Sequence, residues 1–236
     1  MLRASDSSDP IQHDALAMAA VEPIEPGMLV GLGTGRTATR GIHALAYRVH
    51  EEGLSDVTCV ATSEASREMA EGLGLKVGDF AMVERVHYTF DGADEVDHQL
   101  RVLKGSGGAM TRERLIAWAS DRTAYMVREQ KIVETLGTNV SLAVAVMAFG
   151  LASIRAELRH RGLAGVCRRT LDGQLFVTDN GNLIVDVGLE GHDCEDVAAT
   201  LDAIPGVVDH GLFIHEADEV LVEAGDGEIK RMAREE

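Results

Sequence analysis

Three segments in the first half of this 236-residue chain hold side chains able to do chemistry. Asp91-Gly92-Ala93-Asp94-Glu95 sets three carboxylates within five residues after an apolar run. Their mutual repulsion raises at least one pKa, which suits proton transfer, sugar-hydroxyl binding or a divalent metal. An acidic surface turn accounts for the same pattern when it is taken alone. Lys104-Gly105-Ser106-Gly107-Gly108-Ala109-Met110-Thr111-Arg112-Glu113 sets a lysine at a strand end, then a glycine-rich loop, then a glutamate in the opening turns of a helix. Lysine is a compact charge that stabilises a developing oxyanion. Glu113 is a general base if desolvated, or merely a favourable acid near a helix start. The third segment is Gly31-Leu32-Gly33-Thr34-Gly35-Arg36-Thr37. Its glycines let the backbone approach a ligand, the helix start favours anions, and Thr34, Arg36 and Thr37 add hydroxyls and a fixed charge. A phosphate site is the expectation, and a tight turn without ligand is the plain alternative.

Other chemistries lack their residues. A dinucleotide fingerprint needs its third glycine where Arg36 stands, and a P-loop needs Gly-Lys-Ser/Thr at the helix start. The nine histidines form no HExxH pair, so a catalytic zinc site has no support. Cys59, Cys167 and Cys194 are far apart and odd in number, which indicates neither a disulfide framework nor a metal knuckle.

These segments need a scaffold that brings strand ends together. Strands are expected at 28–32, 57–62, 87–90, 100–103 and 123–127, and helices at 8–21 (Asp9 as cap, Pro10 at the first turn), 37–50, 63–73 and 110–120. Such alternation predicts an α/β fold, a Rossmann-like mainly parallel sheet with helices on both faces. Ligands then sit beyond the carboxyl ends of the strands, where all three segments fall. After about residue 138 the rhythm changes: a strand at 141–147, a helix at 150–161, paired strands at 174–178 and 183–187 around Asn180-Gly181, and a helix at 193–203. This predicts a small α+β, ferredoxin-like domain over 138–206, inserted into a catalytic domain of 1–137 with 207–236. Strands at 207–213 and 219–222 are expected to rejoin the main sheet.

Composition narrows the function classes. Lys plus Arg total 22 against 39 Asp plus Glu, a net charge of −17, with 45% hydrophobic and 4% aromatic residues. Such a surface repels nucleic-acid backbones and offers few stacking platforms. No apolar run approaches a membrane span and the start carries no signal-peptide core, so a cytoplasmic protein is expected. Only four of the basic residues are lysine: Lys76, Lys104, Lys131 and Lys230.

The three segments, together with Val177-Thr178-Asp179-Asn180-Gly181-Asn182 and Ile204-Pro205-Gly206-Val207-Val208 followed by Gly211-Leu212-Phe213, resemble the ribose-5-phosphate isomerase family of the A type. The resemblance runs from about Pro26 to Gly227. It implies an aldose–ketose isomerase that interconverts ribose 5-phosphate and ribulose 5-phosphate through an enediolate, without metal or organic cofactor, as a homodimer or homotetramer. By that resemblance Glu113 moves the proton between C1 and C2. Asp91 and Asp94 bind sugar hydroxyls and assist ring opening and oxygen protonation, and Lys104 steadies the enediolate oxygen. Thr34, Gly35, Arg36 and Thr37 hold the phosphate with Lys131, and Gly92, Ala93, Gly105, Ser106 and Gly107 complete the substrate site. Four positions depart from the family pattern: Arg36 replaces a serine, Ser106 a glycine, and Arg128-Glu129-Gln130 an Asp-x-Ser run, while a first-helix lysine aligns near His13. A paralogue acting on another phosphosugar and a non-catalytic phosphosugar sensor stay open as alternatives.

Overall fold

A computed structural model describes residues 14–234. Thirteen strands and six α-helices follow one another among the described residues. The first helix, α1 (Ala15–Val21), is capped by Asp14, whose carboxylate accepts from the Ala17 N–H at 3.0 Å. The expected Asp9–Pro10 start lies outside the described residues, as does His13.

The main sheet has six strands in the order β13-β12-β6-β3-β1-β2. They are β1 (Leu29–Leu32), β2 (Thr58–Ala61), β3 (Tyr88–Gly92), β6 (Thr123–Arg128), β12 (Glu219–Glu223) and β13 (Ile229–Ala233). The first five run parallel, and β13 closes the edge antiparallel to β12. On one face α1, α2 (Arg36–Glu51) and α3 (Glu64–Gly72) bury Leu16, Ile42, Leu45 and Ala70 against Val30, Phe90 and Met126. On the other, α4 (Met110–Trp118) brings Ile116 onto Val60 and Val86. Alternation along a strand serves both faces at once. A Cβ on Gly41 would meet the Phe90 ring at 2.6 Å, and one on Gly31 would meet Thr89 Oγ1 at 2.0 Å and Ile116 Cγ2 at 2.7 Å.

Two smaller sheets complete the fold. One is fully antiparallel, β10-β7-β9-β8, formed by β7 (Leu142–Val146), β8 (Gly165–Cys167), β9 (Leu183–Val187) and β10 (Val207–His210). Helices α5 (Leu151–His160) and α6 (Cys194–Asp202) belong to this unit, their Ile154, Leu158, Val197 and Leu201 buried with Val144, Val185 and Val187. The other has the order β11-β5-β4, from β4 (Glu95–Val96), β5 (Val102–Leu103) and β11 (Leu212–Phe213). No helix among the described residues is long and apolar enough to cross a membrane.

The fold class agrees with expectation, two expected strands are corrected and two further strands appear. Residues 174–178 do not form a full strand beside β9; they touch the ladders only through the bridges Arg169↔Leu175 and Val177↔Leu183. The β9 edge is taken by β8, which the sequence reading missed. A Cβ on Gly165 would lie 2.5 Å from the Asp186 carbonyl, so close pairing there depends on glycine. The expected strand 207–213 breaks at Gly211. Its first half pairs with β7 and its second with β5, and only β12 rejoins the main sheet. The break is tied into the second glycine loop: the Lys104 N–H donates to the Gly211 carbonyl, and the Gly211 N–H to that of Ala143, both at 2.8 Å. The edge strand β13 was also unforeseen, because its charged residues hide an apolar period.

Candidate active site

The carboxyl ends of β1, β3 and β5 open onto one cavity of about 360 Å³. Its walls are Thr34, Gly35, Arg36 and Thr37; Gly92, Ala93 and Asp94; Lys104, Gly105, Ser106 and Gly107; and Glu113 and Lys131. Of these strands, β1 and β3 lie side by side in the parallel sheet, and β5 reaches the cavity from the small antiparallel sheet. Asp91 lies just beneath, at the end of β3.

Asp91, Lys104 and Glu113 are 3%, 4% and 6% exposed. The Lys104 ammonium lies 3.0 Å from Asp91 Oδ2 and 3.4 Å from Glu113 Oε2, and it donates to the Gly92 carbonyl. The rings of Tyr125 and Phe213 stand 5.5 and 6.0 Å from it. Asp91 is further tied by the N–H groups of Thr34 (3.0 Å) and Gly92 (2.7 Å), so it orients the lysine and the first loop together. Glu113 is the looser partner, because its buried Oε2 has no hydrogen-bond partner among the described residues.

Burial drives the electrostatics. Desolvation, reinforced by the Asp91 charge, pushes the Glu113 carboxyl up to about 8, against the opposing pull of Lys104. Desolvation also raises Asp91, with Lys104 and the two N–H donors working the other way. For Lys104, burial favours the neutral amine, but the facing Asp91 and Glu113 charges outweigh it and hold the ammonium above its ordinary pKa. The cluster thus couples a lasting cation to a carboxyl that exchanges its proton near neutral pH.

Asp94 faces the same cavity and accepts from the Ser106 N–H at 2.9 Å. The third carboxylate of that acidic segment serves the fold instead. Glu95 points to the loop at 137–139 and accepts from the Gly137 and Asn139 N–H groups, both at 2.6 Å.

In the wall of the same cavity α2 starts after Gly35, whose φ of 97° favours glycine, and no side chain caps the helix. Its first-turn N–H groups remain open to an anion. Arg36 and Lys131 stand beside them with no ion-pair partner among the described residues. The Thr34 hydroxyl belongs to a network, 2.7 Å from Thr62 Oγ1, 2.8 Å from Ser63 Oγ and 3.1 Å from Ser66 Oγ. Ser66 Oγ in turn donates to the Gly33 carbonyl at 2.7 Å. Gly33 packs hard against the cluster, since a Cβ there would fall 2.2 Å from Asp91 Oδ1.

Sequence reasoning missed the supports, which are long-range. Arg40 braces α2 on Asp14 (2.6 Å) and Glu223 (2.7 Å). Arg114, next to Glu113, holds Asp209 at 2.8 Å, Glu216, and the carbonyls of His210 (2.7 Å) and Leu212 (2.8 Å). Arg112 spans Glu64 (2.7 Å) and Asn180 (2.9 Å), fastening the Asn-Gly turn near α3. A larger cavity of about 530 Å³ adjoins α4 and α6, but its Arg114 is locked to Asp209 and Glu216, and its His210 lies 3.3 Å from Asp202.

Fold and cavity together define the class: an α/β enzyme for a small anionic substrate. The family model for ribose 5-phosphate isomerase A (phosphoriboisomerase A) matches residues 58–227. The ribose-5-phosphate isomerase A of Roseiflexus sp. (strain RS-1) is 41% identical over 224 residues, covering 94% of this chain and 96% of that protein. That of Chlamydia trachomatis serovar D is 42% identical, covering 96% and 93%. Among solved structures, ribose 5-phosphate isomerase A from Methanocaldococcus jannaschii superposes with a TM-score of 0.88 at 31% identity, over 97% of this chain and all of that one. A D-ribose-5-phosphate isomerase in complex with phospho-erythronic acid matches with a TM-score of 0.88 at 31% identity, covering 93% and 96%. The chain belongs to the ribose 5-phosphate isomerase A family.

Proposed function

We infer that this chain interconverts D-ribose 5-phosphate and D-ribulose 5-phosphate by proton transfer through an enediolate. The observation that carries this reading is the buried Asp91–Lys104–Glu113 cluster, whose Glu113 Oε2 faces the ammonium at 3.4 Å without a hydrogen bond, beside a cavity also lined by an uncapped helix start with Arg36 and Lys131. The phosphate sits at the helix start, and its binding energy fixes the reacting carbons at the cluster. Glu113, as carboxylate, takes the proton from C2 of the open-chain aldose. The electron pair moves into the C1–C2 bond, and the carbonyl oxygen gains the negative charge that Lys104 stabilises. Returning the proton to C1 yields the ketose. Asp94 faces the sugar hydroxyls and relays protons between oxygens, and Asp91 keeps the ammonium aimed. Gly92, Ala93, Gly105, Ser106 and Gly107 form the walls around the sugar.

A carboxyl near 8 suits this work. It is basic enough to deprotonate a carbon next to a carbonyl, yet still ionised in part at neutral pH. The chemistry draws on side chains alone, so turnover of ribose 5-phosphate, followed by a coupled assay for ribulose 5-phosphate, is expected to be unchanged by a chelator. Loss of turnover with chelator would refute it. Exposed Trp118 on α4 and Phe149 supply apolar surface for a homodimer or homotetramer, and light scattering reads the state directly. Three free cysteines fit a reducing cytoplasm.

A further inference from the structure

One side chain from outside the second glycine loop holds two of its carbonyls. Arg168, just after β8, sends Nη1 to two successive loop carbonyls, Gly105 at 2.7 Å and Ser106 at 2.9 Å. Asp186 on β9 fixes the guanidinium from behind, with Oδ2 3.0 Å from Nε and Oδ1 against Nη2. The Phe176 ring lies 5.8 Å from Arg168 Cζ, and the same ring occupies the place of a Cβ on Gly108, 2.5 Å from Cε1. The Arg168 side chain is only 16% exposed. A planar fork bounded by a carboxylate, an aromatic ring and two carbonyls has one orientation.

That orientation reaches the cavity through the peptide planes. In a planar trans peptide the N–H points opposite to the C=O. Drawing the carbonyls of residues 105 and 106 toward Arg168 turns the N–H groups of Ser106 and Gly107 the other way. The Ser106 N–H is indeed found on Asp94 Oδ2, and both Gly107 and Asp94 line the cavity.

We propose that Arg168, oriented by Asp186, is a positioning residue for the isomerisation. It sets the 105–107 loop so that the Gly107 N–H donates to the enediolate oxygen while the Ser106 N–H holds Asp94. The proposal rests on the isomerase reading above. Its logic is preorganisation: donors fixed before charge develops cost no reorganisation when it does, and a supporting shell of this kind keeps them in place.

Calorimetric binding of phospho-erythronic acid, whose carboxylate stands in for the enediolate, tests it beside ribose 5-phosphate turnover. Arg168→Met is expected to weaken that binding about 10–100-fold and to lower kcat/KM by a similar factor, the scale of a small misplacement at a reacting centre. Inorganic phosphate binding stays unchanged, because the helix start is untouched. Asp186→Asn shifts both quantities the same way by a smaller factor, and it decides the matter if Arg168→Met does not fold. A purely structural role instead reduces the number of binding sites with an unchanged Kd, and that result overturns the proposal. So does phospho-erythronic acid affinity within about twofold of wild type in the folded variants. A wild-type protein that fails to isomerise would sink the underlying reading, which separates the two failures.

Discussion

Buried at 6% exposure, the Glu113 carboxyl answers to one cation, Lys104, and two anions, Asp91 and Asp94, and with desolvation the balance leaves it protonated over most of the acidic range. A base must be ionised to act, so kcat/KM is expected to climb with pH toward a plateau above about 8. A flat profile from pH 6 to 9 would remove Glu113 as the base. The same shift acts on stability. The folded pKa exceeds the ordinary 4.5, so the folded state holds its proton more tightly, and stability is lost as pH rises from there to about 8. Glu113→Gln, which mimics the neutral form, should therefore raise stability by about 1–3 kcal/mol at pH 8 and add little at pH 4. Urea denaturation at the two pH values measures this. Lys104→Met removes the cation from between two buried carboxylates. It should cost about 3–5 kcal/mol of stability and about 10²–10³ in kcat. A variant with kcat near wild type would show that Lys104 only holds the fold together.

At the scale of elements, the turn from β1 into α2 does two jobs with different glycines. Gly33 abuts Asp91, whereas Gly35 has open space around its Cβ position but a φ of 97°. Gly33→Ala is thus expected to displace Asp91 and lower both activity and stability, the latter by about 1–3 kcal/mol. Gly35→Ala should strain the backbone by a similar amount while leaving the Asp91–Lys104 geometry in place. Comparing kcat with denaturation midpoints for the two separates clash from strain. Such turns were legible in the sequence, because glycines, strand ends and helix starts are local signals. The parallel sheet was legible for the same reason, from alternating strands and helices. What stayed hidden is pairing between distant segments. Nothing local in residues 174–178 reveals that β8 has taken the β9 edge, nor in 207–213 that Gly211 splits the run between two sheets. The arginines Arg40, Arg114 and Arg168 were invisible likewise, since an arginine's partner is set by the tertiary fold and its sequence neighbours do not name it. Within the acidic segment, spacing alone could not separate Asp91 and Asp94 from Glu95, which the fold turns toward 137–139; the family resemblance singled out the two aspartates. The pairing of β10 (Val207–His210) with β7 sets these four residues beside the segment proposed as the small domain.

For the whole molecule, a net charge of −17 surrounds the cavity proposed to take an anion. Arg36, Lys131 and the α2 start therefore concentrate positive potential where the overall field opposes binding. Salt screens both effects, with a Debye length near 3 Å at 1 M. Raising salt to about 1 M should stabilise the fold by screening self-repulsion, yet raise KM by screening the phosphate anchor. Thermal melts and KM across a salt series check both signs. A fold that melts at the same temperature throughout would show that the acidic excess carries no stability cost. With Arg36 on the phosphate as proposed, Arg36→Ser should likewise raise KM more than it lowers kcat, because such a contact is shared by ground and transition states. In the proposed reaction Glu113 moves the proton between C1 and C2. The most direct test of that role is the coupled assay of ribulose 5-phosphate formation with wild-type protein and Glu113→Gln at pH 8. Wild-type protein is expected to turn over robustly, and the folded variant to lose about 10²–10⁴ in kcat. Turnover by Glu113→Gln equal to wild type would contradict that role.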